Sequence, residues 1–253
     1  MSPRPALLTL ALLLAACGSS APTDRASEEK VLVAALEGAD GGSTFSQQQS
    51  WTFTGGNIAK GQKRMANSVA SGSLKSGRAQ FSYSLNSSRN FDMVIADGQL
   101  YVRPRRGTSW RSVSVDAASE LYPSIRFDIL RESITLGRSI TQPVVTFSGS
   151  SVTRKYVVVP ASDQLQQLQG VTVPGSGLTQ YLKTASARVE IYLTTSGNQL
   201  ARIVVNLAGL DPVDGVRTTV VSTVDFKLSR KVGTIKPPDD SVPVSPDHLL
   251  DPA

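Results

Sequence analysis

Apolar side chains fall at every second position over most of this chain and at helical spacing over only a few segments, so a sheet-dominated protein is expected. Phe45, Gln47, Gln49, Trp51 and Phe53 share one face of the first strand, which Gly55-Gly56 ends. Phe81, Tyr83 and Leu85 alternate next, then Phe91, Met93 and Ile95. Asp97-Gly98 is a hairpin signal leading into Leu100-Tyr101-Val102. Trp110, Arg111, Val113 and Val115 give one more short strand. Earlier in the chain, Gln62–Lys75 offers only Met65, Val69 and Leu74 as apolar markers and predicts a weak, exposed strand. Further strands are expected over Ile140–Ser148 and Val152–Val159, and around Val189, Ile191 and Leu193. After the Ser196-Gly197-Asn198 turn, Ala201, Ile203, Val205 and Leu207 alternate, and a last long strand runs from Val216 to Leu228.

Helical spacing opens the pattern. Ser27 as a hydroxyl cap followed by Glu28 and Glu29 suits a first turn, and Val31, Leu32 and Leu36 continue to Gly38 and Gly41-Gly42. A second helical stretch, Asp116–Arg138, aligns Ile125, Ile129 and Leu136 with Phe127, Leu130 and Ile134 beside them, a broad apolar stripe that implies burial. Shorter helical pieces are expected over Asp163–Gln169 and Leu178–Lys183. Beyond Gly233 the Pro-rich tail has no period and is expected to wrap the surface or lack fixed structure.

The N-terminus changes the picture. Arg4 precedes an apolar run from Ala6 to Ala16, too short to span a hydrocarbon core, and the run ends in Leu14-Ala15-Ala16-Cys17-Gly18. That is the pattern of a bacterial lipobox, in which the cysteine sulfur is diacylated and the peptide is cut just before it; an ordinary secretory signal with an incidental cysteine is the alternative. The expected layout is a signal peptide over 1–16, a lipidated tether over 17–27, one domain over 28–235 and the tail over 236–253. A tether of that length reaches about 15–20 Å, which keeps the domain close to the bilayer. Gly18 after Cys17 is not a residue that signals inner-membrane retention, so the outer face of the cytoplasmic membrane and the outer membrane both stay open.

Composition narrows the chemistry. Cys17 is the only cysteine, so stability rests on packing and sheet hydrogen bonds without disulfides. Lys and Arg number 26 against 20 Asp and Glu, a net charge of +6, which favours an anionic surface, for an exported chain a phospholipid layer rather than nucleic acid. Arg103, Arg105, Arg106 and Arg111 cluster near one hairpin and are candidates for touching headgroups; a solvated hairpin tip is the other reading. The single histidine, His248, lies in the tail, and no Ser/His or Cys/His pair can be assembled. Asp239-Asp240 in the Pro-rich stretch reads as a solvated turn and not as a metal site. No enzyme activity, metal or cofactor is expected.

The helix at the start, the strands containing Ile95-Ala96-Asp97-Gly98-Gln99-Leu100-Tyr101 and then Trp110, the helices between two groups of strands, and the Thr195-Ser196-Gly197-Asn198-Gln199-Leu200 turn together resemble the LppX/LprG/LprA/LprF lipoproteins of the wider LolA/LolB-like fold. The resemblance covers roughly Glu28 to Ile235 and departs from the pattern at Gln62–Lys75. It implies an α+β fold, a strongly curved antiparallel half-barrel whose concave face is covered by helices to enclose an apolar cavity. It also implies a monomer whose partner is a lipid or lipidated molecule, carried or held in the cell envelope. Trp51, Phe53, Phe81, Tyr83, Phe91, Met93, Ile129, Ile191 and Leu193 are candidates for lining that cavity, and they would serve a filled core equally well. A partner-docking sensor of the same fold and a structural surface lipoprotein are the rival readings.

One fatty chain anchors a protein marginally, whereas two or three hold it stably. Cys17→Ser is therefore expected to move the protein from the membrane pellet to the soluble fraction after a high-salt wash, read by immunoblotting of the two fractions.

Overall fold

The computed structural model describes residues 25–87, 89–115, 117, 127–135, 143–148, 151–160, 185–210, 213–229 and 231–251. Helix α1 (Arg25–Gly41) leads into β1 (Ser43–Gly55), β2 (Arg64–Lys75), β3 (Arg78–Leu85), β4 (Arg89–Ala96), β5 (Gln99–Pro104) and β6 (Trp110–Ser114). Helix α2 (Phe127–Thr135) precedes β7 (Val144–Ser148), β8 (Ser151–Val158), β9 (Ser186–Thr194), β10 (Leu200–Leu210), β11 (Val216–Leu228) and β12 (Ser241–Pro243). These strands form one sheet in the order β12-β6-β5-β4-β3-β2-β1-β11-β10-β9-β8-β7. All neighbours run antiparallel except β12, which joins β6 in parallel.

The period-2 pattern determines which face is buried. Along β1 the odd positions Phe45, Gln47, Gln49 and Trp51 turn inward while Ser46, Gln48 and Ser50 stay exposed. Twelve strands at about 4.8 Å spacing would span about 53 Å if flat. Yet Leu100 on β5 and Tyr156 on β8 are fully buried in one contiguous core with Leu32 and Leu36 of α1. A sheet this wide can share a core with one helix only by curling over it, and the result is an open, curved half-barrel with its helices on the concave side.

Strand β2 overturns the expectation of a weak, exposed strand. It lies between β1 and β3 near the middle of the sheet, with Ser68 and Ala70 buried. Met65 and Val69, its apolar markers, face outward at 61% and 49% exposure. Its inward positions are small because large rings on both sides fill the space. Gly72 sits opposite both Phe45 and Phe81, whose rings meet edge-to-face across it with centroids 5.9 Å apart. A Cβ on Gly72 would lie 2.1 Å from the Gln80 carbonyl oxygen.

Two local boundaries also differ from the pattern. The helix already runs at Arg25, whose Nε lies 3.0 Å from Glu29 Oε1, so Ser27 sits inside the helix and does not cap it. Leu200, not Ala201, takes the inward place at the start of β10, because the register with β9 shifts between Leu200 and Arg202. The helical pieces at Asp163–Gln169 and Leu178–Lys183, most of Asp116–Arg138, and Cys17 with its surroundings lie outside the described residues.

The tail straps the sheet from one face to the other. Lys75 Nζ donates to the Val232 carbonyl at 2.8 Å and an Arg78 guanidinium N–H donates to that of Ile235 at 3.0 Å. Ile235 packs on the convex face with Val94, Ala96 and Tyr101. The chain then covers the edge of β6 as β12, turns through Pro246–His248, and inserts Leu249, fully buried, into the concave core. Arg111 secures this last turn by donating to the carbonyls of His248 and Asp251 at 3.1 and 2.7 Å.

Two substitutions test this packing. Gly72→Ala is expected to destabilise the fold by about 1–3 kcal/mol through overpacking, and Leu249→Ala by about 2–5 kcal/mol through the cavity it leaves. Both are read as shifted midpoints in urea unfolding.

Candidate functional site

The concave face can be followed row by row from the strand registers. One row runs Tyr156, Ile191, Ile203, Val224, Gln47, Ala70, Tyr83, Phe91 across eight strands from β8 to β4, and every member is buried. The row beside it on one side runs Phe226, Phe45, Gly72, Phe81, Met93, Val102 from β11 to β5. On the other side lies Val158, Val189, Val205, Ser222, Gln49, Ser68, Leu85, and beyond it Ala187, Leu207, Val220, Trp51, Ala66. The wall is therefore apolar on both flanks, with a polar patch at its centre.

That patch comprises Gln47 and Gln49 on β1, Ser222 on β11 and Ser68 on β2, each at most 3% exposed. Gln47 Nε2 donates to Ser222 Oγ at 3.0 Å. Its Oε1, the indole Nε1 of Trp51 two rows further on, and Ser68 Oγ find no hydrogen-bond partner among the described residues. Buried polar atoms are paired in the large majority of cases, so two orphans on one strand face are a specific feature.

Helix α1 closes over part of this wall. It packs on β2, β10, β11 and α2. At its C-terminal end the Ser43 hydroxyl donates to the Ala39 carbonyl at 2.8 Å, and the Asp40 carboxylate accepts from the Gly77 N–H in the β2–β3 turn at 3.0 Å. At its other end Glu28, 7% exposed, accepts a 2.6 Å hydrogen bond from the Tyr156 hydroxyl, fully buried on β8. A bond this short to a carboxylate is charge-assisted and offsets part of the cost of burying it. Burial raises the ionisation of the Tyr156 hydroxyl far above its ordinary value; the Glu28 carboxylate adds to that rise and the Arg154 guanidinium opposes it.

The sequence candidates separate into distinct groups. Trp51, Phe81, Tyr83, Phe91, Met93, Ile191 and Leu193 all lie buried in the concave core. Tyr83 and Phe91 stack with centroids 6.4 Å apart. Phe53 is half-buried at the rim, with the Arg64 guanidinium 4.9 Å above its ring. Ile129 falls within α2, and its side chain is outside the described residues. The arginines do not act as one cluster. Arg103 pairs with Asp92 at 2.9 Å and covers the Trp110 ring at 4.6 Å, and Arg111 holds the tail. Arg105 and Arg106 are exposed at the turn.

Sequence reasoning missed Glu28, which read as a first-turn acid, and Leu249, which stood in an aperiodic tail. It placed Gln47 and Gln49 on the inward face without giving them a role, although two amides between Phe45 and Trp51 are a readable signal. Among the described residues, no helix is long and apolar enough to cross a membrane, and no group of three or more His, Cys, Asp or Glu gathers.

No family model and no curated protein matches the chain. Among solved structures it is similar to the Mycobacterium tuberculosis lipoprotein LppX, at 9% identity and a TM-score of 0.45, over 84% of this chain and 100% of that one. LprF from Mycobacterium bovis matches at 11% and 0.41, over 84% and 97%, and a DUF1329 family protein from Desulfovibrio piger at 8% and 0.32, over 83% and 96%. Two of these three are among the lipoproteins that the sequence resembles.

Buried tyrosines give the fold a defined alkaline limit. Burial raises Tyr83, with the Ser68 side chain opposing. Tyr192 is pushed up to about 12 by burial and by its bond to Glu190. A tyrosine raised in the folded state stays neutral there after its unfolded counterpart ionises near 10.0, so its contribution is intact below that pH and is lost as pH rises above it. Unfolding midpoints are expected to fall from pH 10 towards 12, with the tyrosinate absorbance of Tyr83, Tyr156 and Tyr192 emerging together with unfolding.

Proposed function

We propose that this protein is a lipid-anchored component of a bacterial cell envelope that holds lipid acyl chains against the concave face of its sheet, and that it does so without catalysis. The observation that carries the reading is the wall itself. Four rows of side chains crossing up to eight strands make a surface of at most roughly 700 Å², from about 4.8 Å between strands and about 6.8 Å between rows. Helix α1, 17 residues long, packs over part of it. The apolar flanks suit acyl chains, with α1 as the cover and the Glu28–Tyr156 bond as the fastening of its N-terminal end.

The lipobox supports the membrane side of the reading. Cys17 would tether the domain within a short reach of the bilayer, either at the outer face of the cytoplasmic membrane or at the outer membrane. Carrying lipid from one membrane to another is the transport form of the same activity. The energetics are adequate: sixteen methylenes at about 0.8 kcal/mol each contribute about 13 kcal/mol before ordering costs.

The test uses the exported chain carrying Cys17→Ser, purified from bacteria without detergent. Native mass spectrometry is expected to show the protein with one bound phospholipid or glycolipid. A bare mass, together with no uptake of a fluorescent acyl probe, would overturn the reading in favour of a filled core.

A further inference from the structure

The polar patch at the centre of the wall is costly unless something uses it. Gln47 and Trp51 are each 1% exposed. An unpaired buried polar group destabilises the fold, and methionine or phenylalanine at these two positions would avoid that cost with little change of shape. The two orphan groups also differ in kind. Gln47 Oε1 is an acceptor, and Trp51 Nε1–H is a donor only.

Their spacing and surroundings narrow the ligand. Residues 47 and 51 lie four apart on one strand, about 13–14 Å along β1. The inward position between them is Gln49, opposite Ser68 on β2 and Ser222 on β11. The flank towards β4 is lined by Phe81, Tyr83, Phe91 and Met93, and the flank towards β8 by Ile191, Ile203, Val205 and Leu207. A single chain with a terminal carboxylate does not fit such a map, because its polar group sits at one end and, among the described residues, no cation lies on the patch. A molecule that fits has its polar atoms in the middle and hydrocarbon on both sides.

We propose that Gln47, Trp51 and the polar patch between them form a subsite for the ester or amide linkage of an amphiphile with two or more acyl chains. A linkage carbonyl accepts from Trp51 Nε1–H, and a free hydroxyl or amide N–H of the backbone of the ligand donates to Gln47 Oε1. The chains diverge from there over the two apolar flanks. This assignment rests on the lipid-holding reading and adds to it the place and chemistry of the linkage.

The test compares two probes on the full Cys17→Ser chain, dipalmitoylglycerol and hexadecane, each displacing a fluorescent acyl probe. Trp51→Phe and Gln47→Met are each expected to weaken dipalmitoylglycerol about threefold to tenfold, the value of one neutral hydrogen bond, and to leave hexadecane unchanged. Phe91→Ala on the apolar flank is expected to weaken both probes together, and the unchanged hexadecane binding reports that the two polar variants are folded. Equal losses for both probes in Trp51→Phe and Gln47→Met would make these residues packing groups and overturn the subsite. No change for either probe would also overturn it and would leave the two atoms to buried water. If the parent chain binds hexadecane but not dipalmitoylglycerol, the subsite fails while the acyl-holding reading stands. If it binds neither, both fail.

Discussion

The pairing of β1 with β11 is the contact on which the architecture depends. It runs without a break from Ser43 opposite Leu228 to Gly55 opposite Val216. On one side of this seam lie the strands that follow β1 in sequence, and on the other those that precede β11. Without it there would be two separate meanders, neither wide enough to curl over α1. A pairing between segments so distant in sequence requires closing a long loop before any stabilisation is returned. The early strands and the late strands can each form hairpins locally; the concave face exists only once β1 has both of its neighbours.

Where the chain places polarity inside that face is the more informative part of its energetics. The carboxylate of Glu28 is buried with a hydroxyl donor, so its presence is accounted for by the position it gives to α1. The amide of Gln47 is half accounted for, since its Nε2 has Ser222 and its Oε1 has nothing among the described residues. On the convex face the polar groups answer one another: Glu190 is surrounded by Tyr192, Arg188 and Lys155. Burial pushes its carboxyl up, and those three neighbours together bring it below its ordinary value. The contrast separates polar groups that stabilise the fold from polar groups that the fold leaves open.

Most of the strands were legible because alternation is strict when one face is buried and the other wet. Phe81, Tyr83, Phe91, Met93, Ile191 and Ile203 could be assigned to the inward face from spacing alone, and the structure places them there. Strand β2 was not legible for a steric reason. Most of its inward side chains are small because Phe45 and Phe81 meet over Gly72, so of its three apolar markers Met65 and Val69 point outward and only Leu74 packs on the core. Glu28 is a first-turn acid as its position suggests, but its inward contact was not legible, because an acid near a helix start has an ordinary explanation and only the distant Tyr156 shows that it faces inward. The tail was illegible because it contributes single residues, Ile235 on one face and Leu249 on the other, and a period cannot be read from one residue.

The strap formed by that tail guards one edge of the sheet. A chain delivered amino end first has nearly all its strands in place before Ser241 arrives, and until then the backbone of β6 offers unpaired N–H and C=O groups to any other extended segment. Residues 241–243 cover that edge and Leu249 fills a place in the core, so this late segment removes a route to aggregation at that end of the sheet. A copy cut short by a dozen residues would keep nearly every contact described above and yet remain sticky. Docking this segment and becoming inert towards other copies at that edge are the same event.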